Sequence, residues 1–383
     1  MTVEFDFLPF FCSEEGVEDR ACVVYPWSLR ITCWIFNLMR VTDGVCSKLK
    51  MSLFWQRKMF TLMALFCAVT FSMFVFSYTL REPSLFRSAL GLGESACACH
   101  RCITHLHDNN DDEDDGWFME RFNQSFHPLM SRKNSVLTDD TYRWWQWLQA
   151  ERNPSNLSVV LDRLFQLIPS EENYVDSGPD RCRTCSVVGN SGNLRESNYG
   201  SYIDSSHFVI RMNQASTQGF EKDVGYKTTH HVMYPESAVD LDNNTSLILI
   251  PFKTLDLEWM ISALTTGHIS QTYIPVISRI KANKDKVLIY NPSFLKYVYD
   301  SWLEGHGRYP STGFLSLMFA VHVCDEVNVF GFGADQYGNW HHYWEANMLG
   351  GAFRHTGVHD GDFEYNITLL LADKHKITLY RGV

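Results

Sequence analysis

The chain carries, between residues 185 and 193, the stretch Cys185-Ser-Val-Val-Gly189-Asn190-Ser191-Gly192-Asn193. Its first half is typical of a buried β-strand, and its Gly and Asn residues are typical of the turn that follows one. Six other runs are similarly rich in apolar and β-branched residues, so we predict strands at 186–189, 207–213, 230–235, 246–252, 286–291, 326–332 and 376–380.

Helix-compatible segments separate several of these strands, notably 254–265, 293–304 and 312–323. Apolar strands that alternate with helices are typical of a mainly parallel sheet covered on both faces. The sequence therefore predicts an α/β fold with a seven-stranded sheet flanked by helices. Ligands of such sheets bind beyond the carboxyl ends of the strands.

One uncharged apolar run, 59–80, is as long as a bilayer core requires, which is about 20 residues. Lys50, Arg57 and Lys58 precede it, and this positive charge favours a cytosolic N-terminus. We therefore predict a single N-terminal transmembrane helix that serves as a signal anchor in a type II arrangement. A cleaved signal peptide is the alternative, but its apolar region is usually only about 7–15 residues long.

The segments on either side complete the predicted topology. Residues 1–58 would form a cytosolic tail, and a second start at Met51 would shorten it in many molecules. Residues 81–115 end in an acidic run that is typical of a solvated stem, with a metal site as the less favoured alternative. Residues 116–383 would form one lumenal domain.

The cysteines beyond the apolar run suit an oxidising lumen, because their even number allows every one to pair. They allow about 15 pairing patterns, and the spacing alone does not choose among them. The first three stand beside His105 and His107, so a zinc site is the alternative to disulfides there. These cysteines are Cys97, Cys99, Cys102, Cys182, Cys185 and Cys324.

Five Asn-X-Ser/Thr sequons support the same compartment, since N-glycans are attached to such sites in secreted proteins. Two of the sequons begin at adjacent residues, and we do not expect both to be occupied. The predicted glycosylation sites are Asn123, Asn156, Asn243, Asn244 and Asn366.

Charge and motif spacing exclude several classes of function. A formal net charge of −11 without a Lys/Arg cluster argues against a nucleic-acid surface. The turn at 189–193 lacks both the Gly-X-Gly-X-X-Gly spacing of dinucleotide sites and the Lys-Ser/Thr of a phosphate-binding loop. Its small residues would let a nucleotide approach the backbone, and its Asn side chains could donate to phosphate or ribose. An ordinary turn is the alternative.

Polar motifs follow the later predicted strands and helices. His306-Gly-Arg-Tyr-Pro310-Ser311-Thr312-Gly313 precedes an apolar helix, whose N-terminal amides would be capped by Ser311 or Thr312 or would bind an anion. Asn339-Trp340-His341-His342-Tyr343-Trp344-Glu345 and Gly357-Val358-His359-Asp360-Gly361-Asp362-Phe363-Glu364 place histidines among aromatic and acidic residues. Such groups suit proton transfer, phosphate chemistry or a metal.

The metal interpretation has one formal support. Asp240-Leu-Asp242 and Asp360-Gly-Asp362 match the Asp-X-Asp pattern of metal-dependent sugar transferases. So short a pattern often arises by chance, and neither copy clearly follows a predicted strand. We therefore expect no metal cofactor.

These motifs together resemble the four sialyl motifs of animal sialyltransferases. Residues 182–230 resemble the large motif, 306–332 the small motif, 341–344 the third motif and 359–364 the very small motif. The similarity extends over about 95 to 383 and is greatest to the beta-galactoside alpha-2,3-sialyltransferases that act on Gal-beta-1,3-GalNAc. Gly361 stands where an alanine is expected.

The resemblance implies a GT-A-like, Rossmann-like variant fold and an enzyme in the Golgi membrane. It would transfer sialic acid from CMP-sialic acid to O3 of the terminal galactose of glycoproteins or glycolipids, with inversion and without a metal. It implies His359 as the general base, with His342 and Tyr309 stabilising the departing phosphate. The implied disulfides are Cys97–Cys102, Cys99–Cys182 and Cys185–Cys324. A homodimer is a possible assembly.

The same resemblance assigns substrate-binding positions. Asn190 and Asn213 would bind the donor, and Gln149 and Tyr273 are candidates for acceptor binding. The other implied positions along the site are Ser191, Asn193, Tyr309, Ser311, Thr312, Gly313 and Trp340.

Three alternatives stay open. The chain could be a sialyltransferase with another acceptor or linkage, because acceptor loops rather than the shared motifs decide between them. It could be a metal-dependent glycosyltransferase, which EDTA would inhibit. It could also be a silent glycan-binding homologue that binds acceptors without transfer.

Overall fold

The structure is a computed structural model, and it describes residues 53–81, 96–104, 112–151, 153–269, 272, 274–346 and 357–383. The chain divides into two compact units, Met1–Gly91 and Leu92–Val383. The predictions for tail residues 1–52, stem residues 82–95 and 105–111, and Tyr273 lie outside the described residues.

The first unit contains helix α1, Leu53–Arg81. Within the part of the chain that is described, no helix is long and apolar enough to cross a membrane. The single transmembrane helix predicted over 59–80 is therefore not confirmed and stays a prediction.

The second unit is built around a seven-stranded sheet in the order β5-β4-β3-β2-β1-β6-β7. Each of its neighbouring strand pairs is parallel. The mainly parallel α/β sheet that the apolar runs predict is thus confirmed. The strands are β1 Thr184–Val188, β2 Phe208–Met212, β3 His230–Met233, β4 Ser246–Leu249, β5 Val287–Ile289, β6 Glu326–Phe330 and β7 Thr378–Tyr380.

Helices flank this sheet and form its core contacts. One of them, Thr312–Val323, is almost entirely buried because apolar residues surround its axis. The described α-helices of this unit are α2 Asp112–Arg121, α3 Asp139–Leu148, α4 Leu157–Leu164, α5 Gly200–Ser205, α6 Glu221–Val224, α7 Thr254–Ala263, α8 Pro292–Tyr297, α9 Thr312–Val323 and α10 Gly361–Asp373.

The predicted helix over 293–304 differs in form. It begins as α8 and continues as a π-helical segment, Val298–Trp302. The wider turn is closed by Leu303, whose N–H donates to the Val298 carbonyl at 3.1 Å. Sequence periodicity does not distinguish such a local widening from a regular helix.

The strand order produces a topological switch between β1 and β6. The chain runs outward from β1 to β5 and then returns to the other side of β1, which opens a crevice at the carboxyl ends. Two glycines let these ends meet. A Cβ at Gly189 would lie 2.3 Å from the Gly331 carbonyl oxygen, and Gly331 itself has φ +70°.

Three disulfides tie the second unit together: Cys97–Cys102, Cys99–Cys182 and Cys185–Cys324. They are the pairs that the resemblance implies. The third joins β1 to the end of α9, so the strand before the 189–193 turn is held to the helix that follows Ser311. Bonded cysteines carry no thiolate for zinc.

Candidate active site

A cavity of about 680 Å³ opens at the carboxyl ends of the strands, across the switch between β1 and β6. The segments that follow β1, β2, β3, β4 and β6 all contribute to its wall. The polar turn after β1 and the motifs of residues 309–313, 340–345 and 359–364 also meet there. Parallel strands bring these distant segments together because their carboxyl ends lie along one edge.

Asn190 and Asn213 each present an amide oxygen in this cavity. The Asn190 side-chain nitrogen donates to the Met212 carbonyl at 3.2 Å, so its oxygen is turned away from that bond. Both side-chain oxygens are buried, and neither has a hydrogen-bond partner among the described residues. They can accept hydrogen bonds from a ligand's hydroxyl or amino groups. The Asn190 amide nitrogen carries a second N–H beside the one it donates to the Met212 carbonyl, so donation to phosphate or ribose stays a prediction.

The backbone fixes the direction of Asn213. This residue has φ 58°, a left-handed conformation that Asn adopts more readily than most residues. His231 donates its Nε2–H to the Asn213 carbonyl at 2.6 Å, and burial lowers the pKa of His231 to about 4. A neutral, buried histidine therefore holds the turn after β2 in place.

His342 lies on the β1 side of the cavity. An isolated antiparallel bridge pairs it with Ser191. Its Nδ1 donates to Glu345 Oε1 at 2.8 Å, and its ring stacks on Trp344 with ring centroids 4.5 Å apart. The bridge holds the His342 backbone beside the turn that follows β1, and the contacts with Glu345 and Trp344 fix the orientation of the imidazole.

His359 lies beside Tyr309 at another part of the wall. Its Nδ1 is 2.8 Å from the Tyr309 carbonyl oxygen. Because a carbonyl can only accept, the neutral imidazole carries its proton on Nδ1, and Nε2 has the lone pair. Burial lowers the pKa of His359, although the Tyr309 carbonyl opposes the shift. The arrangement maintains a neutral imidazole with a basic Nε2.

The ring of Tyr309 connects His359 to the side chains after α3 and β4. It packs against His359 at a centroid distance of 5.0 Å and against Phe252 at 4.9 Å. The Gln149 side-chain nitrogen donates to the Tyr309 hydroxyl at 3.4 Å. His359 therefore shares its corner of the cavity with Gln149 and with residues that follow β4.

Ser311 caps α9, and its hydroxyl accepts a hydrogen bond from the Phe314 N–H at 3.1 Å. Its own N–H donates to Glu364 Oε1 at 2.7 Å, and its hydroxyl donates to the other oxygen of the same carboxylate. Burial raises the pKa of Glu364 to about 7. Both groups line the cavity, so one side chain of α10 fixes the N-terminus of α9.

The structure brings most of the predicted site residues to the wall of this cavity. Asn193 is not among them: it is 2% exposed, and its side-chain nitrogen donates to the Phe332 carbonyl at 2.9 Å. It supports the loop after β6 from behind. The predicted residues that line the cavity are Gln149, Asn190, Ser191, Asn213, Tyr309, Ser311, Thr312, Gly313, Trp340, His342 and His359.

Sequence reasoning did not single out several residues of the wall. Tyr234 and Glu236 follow β3, Phe252 follows β4 and Phe332 follows β6. Their positions at the carboxyl ends of predicted strands were an available signal, but no motif marked them. Glu364 ends the His359 motif, and the sequence alone assigns it no role in the site.

The Asp-X-Asp candidates have local structural roles. Asp240 accepts from the Lys281 N–H at 2.8 Å, and Asp242 accepts from the Asn244 N–H at 2.7 Å. Both precede β4, at the edge of the sheet opposite the cavity. Asp360 caps α10 by accepting from the Phe363 N–H at 3.0 Å.

Comparison with known proteins identifies the family. Residues 129–376 match the family model described as Glycosyltransferase family 29 (sialyltransferase). The chain belongs to glycosyltransferase family 29, the sialyltransferases. This confirms the resemblance drawn from the four sialyl motifs, and the protein is a glycosyltransferase by family.

Relatives of this glycosyltransferase family 29 member are similar over most of its length. The human CMP-N-acetylneuraminate-beta-galactosamide-alpha-2,3-sialyltransferase 1 is 52% identical over 85% of this chain and 97% of that protein. The rat CMP-N-acetylneuraminate-beta-galactosamide-alpha-2,3-sialyltransferase 2 is 55% identical over 76% of this chain and 82% of that protein.

A solved sialyltransferase structure shares the fold of this family member. The crystal structure of a mammalian sialyltransferase matches with a TM-score of 0.68 and 54% identity, over 76% of this chain and 100% of that chain. A further structure, in complex with Gal-beta-1-3GalNAc-ortho-nitrophenol, also matches with a TM-score of 0.68 and 54% identity, over 75% of this chain and 100% of that chain.

Proposed function

We propose that the protein transfers sialic acid from CMP-sialic acid to O3 of the terminal galactose of Gal-beta-1,3-GalNAc on glycoproteins or glycolipids. The transfer inverts the anomeric configuration and needs no metal. Family membership and relatives named as alpha-2,3-sialyltransferases support the reaction class and the linkage. A related structure that holds a Gal-beta-1-3GalNAc glycoside supports the acceptor.

The observation that carries the mechanism is the hydrogen bond from His359 Nδ1 to the Tyr309 carbonyl. It leaves the lone pair on Nε2, and burial lowers the pKa of the ring, so the imidazole is neutral near pH 7. In the proposed step Nε2 takes the proton of the galactose O3 hydroxyl. The oxygen attacks the anomeric carbon of sialic acid as the bond from that carbon to the phosphate oxygen breaks.

The departing CMP takes the electron pair of the broken bond, so negative charge grows on its phosphate. Hydrogen-bond donors that face this phosphate lower the barrier because they act on charge that develops in the transition state. We assign this role to Tyr309 and to His342, whose imidazolium form donates from Nε2 while Nδ1 donates to Glu345. The bridge between His342 and Ser191 supports the assignment, since it holds His342 beside the turn proposed to bind the nucleotide.

The remaining site residues are assigned to either the donor or the acceptor. Asn190 and Asn213 bind the donor through their side-chain oxygens, which have no hydrogen-bond partner among the described residues. Gln149 binds the acceptor, as does Tyr273. We also propose that the chain is an N-glycosylated type II protein of the Golgi membrane, with this domain in the lumen. A homodimer stays a prediction.

The test is a transfer assay with the purified full-length protein, CMP-sialic acid and a Gal-beta-1,3-GalNAc glycoside, with and without EDTA. We expect an alpha-2,3-linked product in equal yield under both conditions. Inhibition by EDTA would contradict the metal-independent chemistry, and an alpha-2,6 product would contradict the linkage. No transfer by a folded protein that binds CMP would favour a silent glycan-binding homologue.

A further inference from the structure

A buried cluster of charges lies behind the Gln149 corner of the cavity. Its centre is Lys253, which is 5% exposed and pairs with Asp256 at 2.9 Å and with Glu236 at 3.6 Å. Burial acts to lower the pKa of Lys253, but the Asp256 and Glu236 carboxylates outweigh it and the pKa is raised. The lysine is therefore a permanent cation inside the domain.

This cation fixes the orientation of Gln149. The Lys253 ammonium group donates to the Gln149 side-chain oxygen at 2.6 Å. An ammonium group can only donate, so the oxygen of the amide faces Lys253 and the nitrogen faces the Tyr309 hydroxyl. The cluster thus presents an N–H donor to the cavity at this corner.

Glu236 supplies the opposite kind of group. It lines the cavity and its side chain is 10% exposed. One carboxylate oxygen, Oε1, faces Lys253, whereas Oε2 is buried and has no hydrogen-bond partner among the described residues. An unpartnered carboxylate oxygen costs free energy when it is buried, and a ligand that donates a hydrogen bond would remove that cost.

The strand order locates this oxygen relative to the two halves of the site. Glu236 follows β3, whereas Asn190 follows β1, and β2 lies between them. Neighbouring strands are about 4.8 Å apart, so the two positions are separated by about 10 Å along the edge of the sheet. Tyr234 stands two residues before Glu236 and also lines the cavity, and its pKa is raised by burial and by the negative charge of Glu236.

We propose that Glu236 binds a hydroxyl group of the acceptor sugar through Oε2, with Lys253 holding both Glu236 and Gln149 in place. This inference rests on the proposed function, because it assigns the Gln149 corner to the acceptor. Gln149 then donates a hydrogen bond to the sugar and Glu236 accepts one. The pair would select a neutral polyhydroxyl ligand in a defined orientation.

The charge of the ligands favours the acceptor over the donor at this position. CMP-sialic acid carries a phosphate and a carboxylate, and a buried carboxylate repels both. The acceptor disaccharide is neutral and has several hydroxyl donors. A hydroxyl of the sialic acid itself has the same hydrogen-bonding chemistry, so the experiment must separate the two substrates.

The experiment compares full-length Glu236→Gln, Glu236→Ala and the control Glu258→Gln with the wild type. Glu258 is a carboxylate of α7 that accepts from the Ser155 hydroxyl at 2.8 Å and does not line the cavity. The measurements are kcat, the KM values for acceptor and donor, the dissociation constant of CMP and the melting temperature. Mono-deoxy forms of the disaccharide are assayed with each protein.

We expect the Glu236 variants to raise the acceptor KM about 10- to 100-fold, the range for a lost hydrogen bond to a charged group. The donor KM and the CMP affinity should not change, and the control should behave as wild type. For the wild type, the KM of one deoxy acceptor should exceed that of the intact disaccharide by the same factor. For Glu236→Ala the two KM values should be equal, because this variant cannot form the hydrogen bond with either acceptor.

Two results would overturn the proposal: a rise in the donor KM instead of the acceptor KM, or no change in either, as expected if only water contacts Oε2. If the variants do not fold, the wild-type deoxy series decides, and equal KM values across the series would overturn it. If the wild type transfers no sialic acid, the proposed function fails separately. In that case the dissociation constant of the disaccharide from each CMP-bound protein is measured in place of the acceptor KM.

Discussion

The Tyr309 carbonyl decides which nitrogen of His359 can act as a base. A side-chain partner could itself gain or lose a proton, but a backbone carbonyl cannot, so the tautomer is the same at every working pH. This single contact joins the segment before α9 to the segment before α10. It therefore ties the chemistry of one residue to the packing of two helices.

Replacing His359 by Ala should lower kcat by at least about 100-fold, since general-base catalysis typically contributes 10²–10⁴-fold. Affinity for CMP should be retained, because the proposed role of His359 is to take a proton from the acceptor hydroxyl and not to bind CMP. The measurement is steady-state kinetics together with CMP titration. His207→Ala, an exposed histidine before β2, is the control and should keep wild-type turnover. Near-normal turnover of His359→Ala would exclude it as the base.

The pH dependence of kcat should follow the same group. Burial lowers the pKa of His359 in the folded protein, below the ordinary value of 6.5. Only the neutral ring accepts a proton, so activity should be present above this lowered pKa and fall below it. A pH profile of kcat should show its acidic limb below pH 6.5. A limb centred above that value would contradict a buried His359 as the base.

At the scale of elements, the N-termini of α9 and α10 are joined at the cavity. Glu364, in the first turn of α10, accepts two hydrogen bonds from Ser311, the capping residue of α9. Burial raises the pKa of this carboxyl to about 7, and the Ser311 donors oppose the shift. The histidine at the start of α10 and the small residues at the start of α9 therefore keep a fixed separation.

The Cys185–Cys324 disulfide joins β1 to the end of α9 across a sequence separation of 139 residues. Replacing both cysteines by Ala should lower the free energy of unfolding by about 5 kcal/mol in the loop-entropy estimate. The same change at Cys97 and Cys102, separated by 5 residues, is the matched control and should cost about 2 kcal/mol. Denaturant unfolding of both variants measures the difference.

Donor binding should also depend on the Cys185–Cys324 disulfide. Its loss frees the 189–193 turn from the helix that follows Ser311, so CMP affinity should fall with stability. Equal losses of stability in the two double variants would contradict the loop-length argument. Unchanged CMP affinity in a folded Cys185/Cys324 variant would show that the turn is held without the bridge.

Across the whole molecule, buried histidines make stability depend on pH. Burial lowers the pKa of His230 to about 3, of His231 to about 4 and of His322 to about 4. In the unfolded chain these groups take up protons below the ordinary value of 6.5, whereas the folded protein binds them only near the lowered values. The stability that these neutral histidines contribute is therefore fully present above pH 6.5 and is lost as the pH falls toward 4.

We expect each of these histidines to lower the free energy of unfolding by about 1.4 kcal/mol per pH unit in that window. Denaturant unfolding between pH 7 and 4 measures the slope, which His322→Phe should reduce by the share of one histidine. His268→Asn, at an exposed position, should leave it unchanged. A slope that is the same in His322→Phe would mean that His322 gains its proton without unfolding.

The strands and the family were predictable from sequence because their signals are local. Runs such as Ser246–Leu249 place apolar residues on both faces of the strand, so they predict a buried parallel strand from the local sequence alone. The four sialyl motifs are likewise contiguous stretches. His359, His342 and Asn190 could be named because each stands inside one of them.

The tertiary structure alone decided how these stretches meet. The order that puts β6 beside β1, the orientation of Asn190 that leaves its side-chain oxygen without a partner among the described residues, and the position of Asn193 behind the β6 loop depend on contacts between distant residues. So does the cluster of Lys253, Glu236 and Gln149. Local propensity carries no information about such contacts, because burial and hydrogen-bond partners are set only when the strands align.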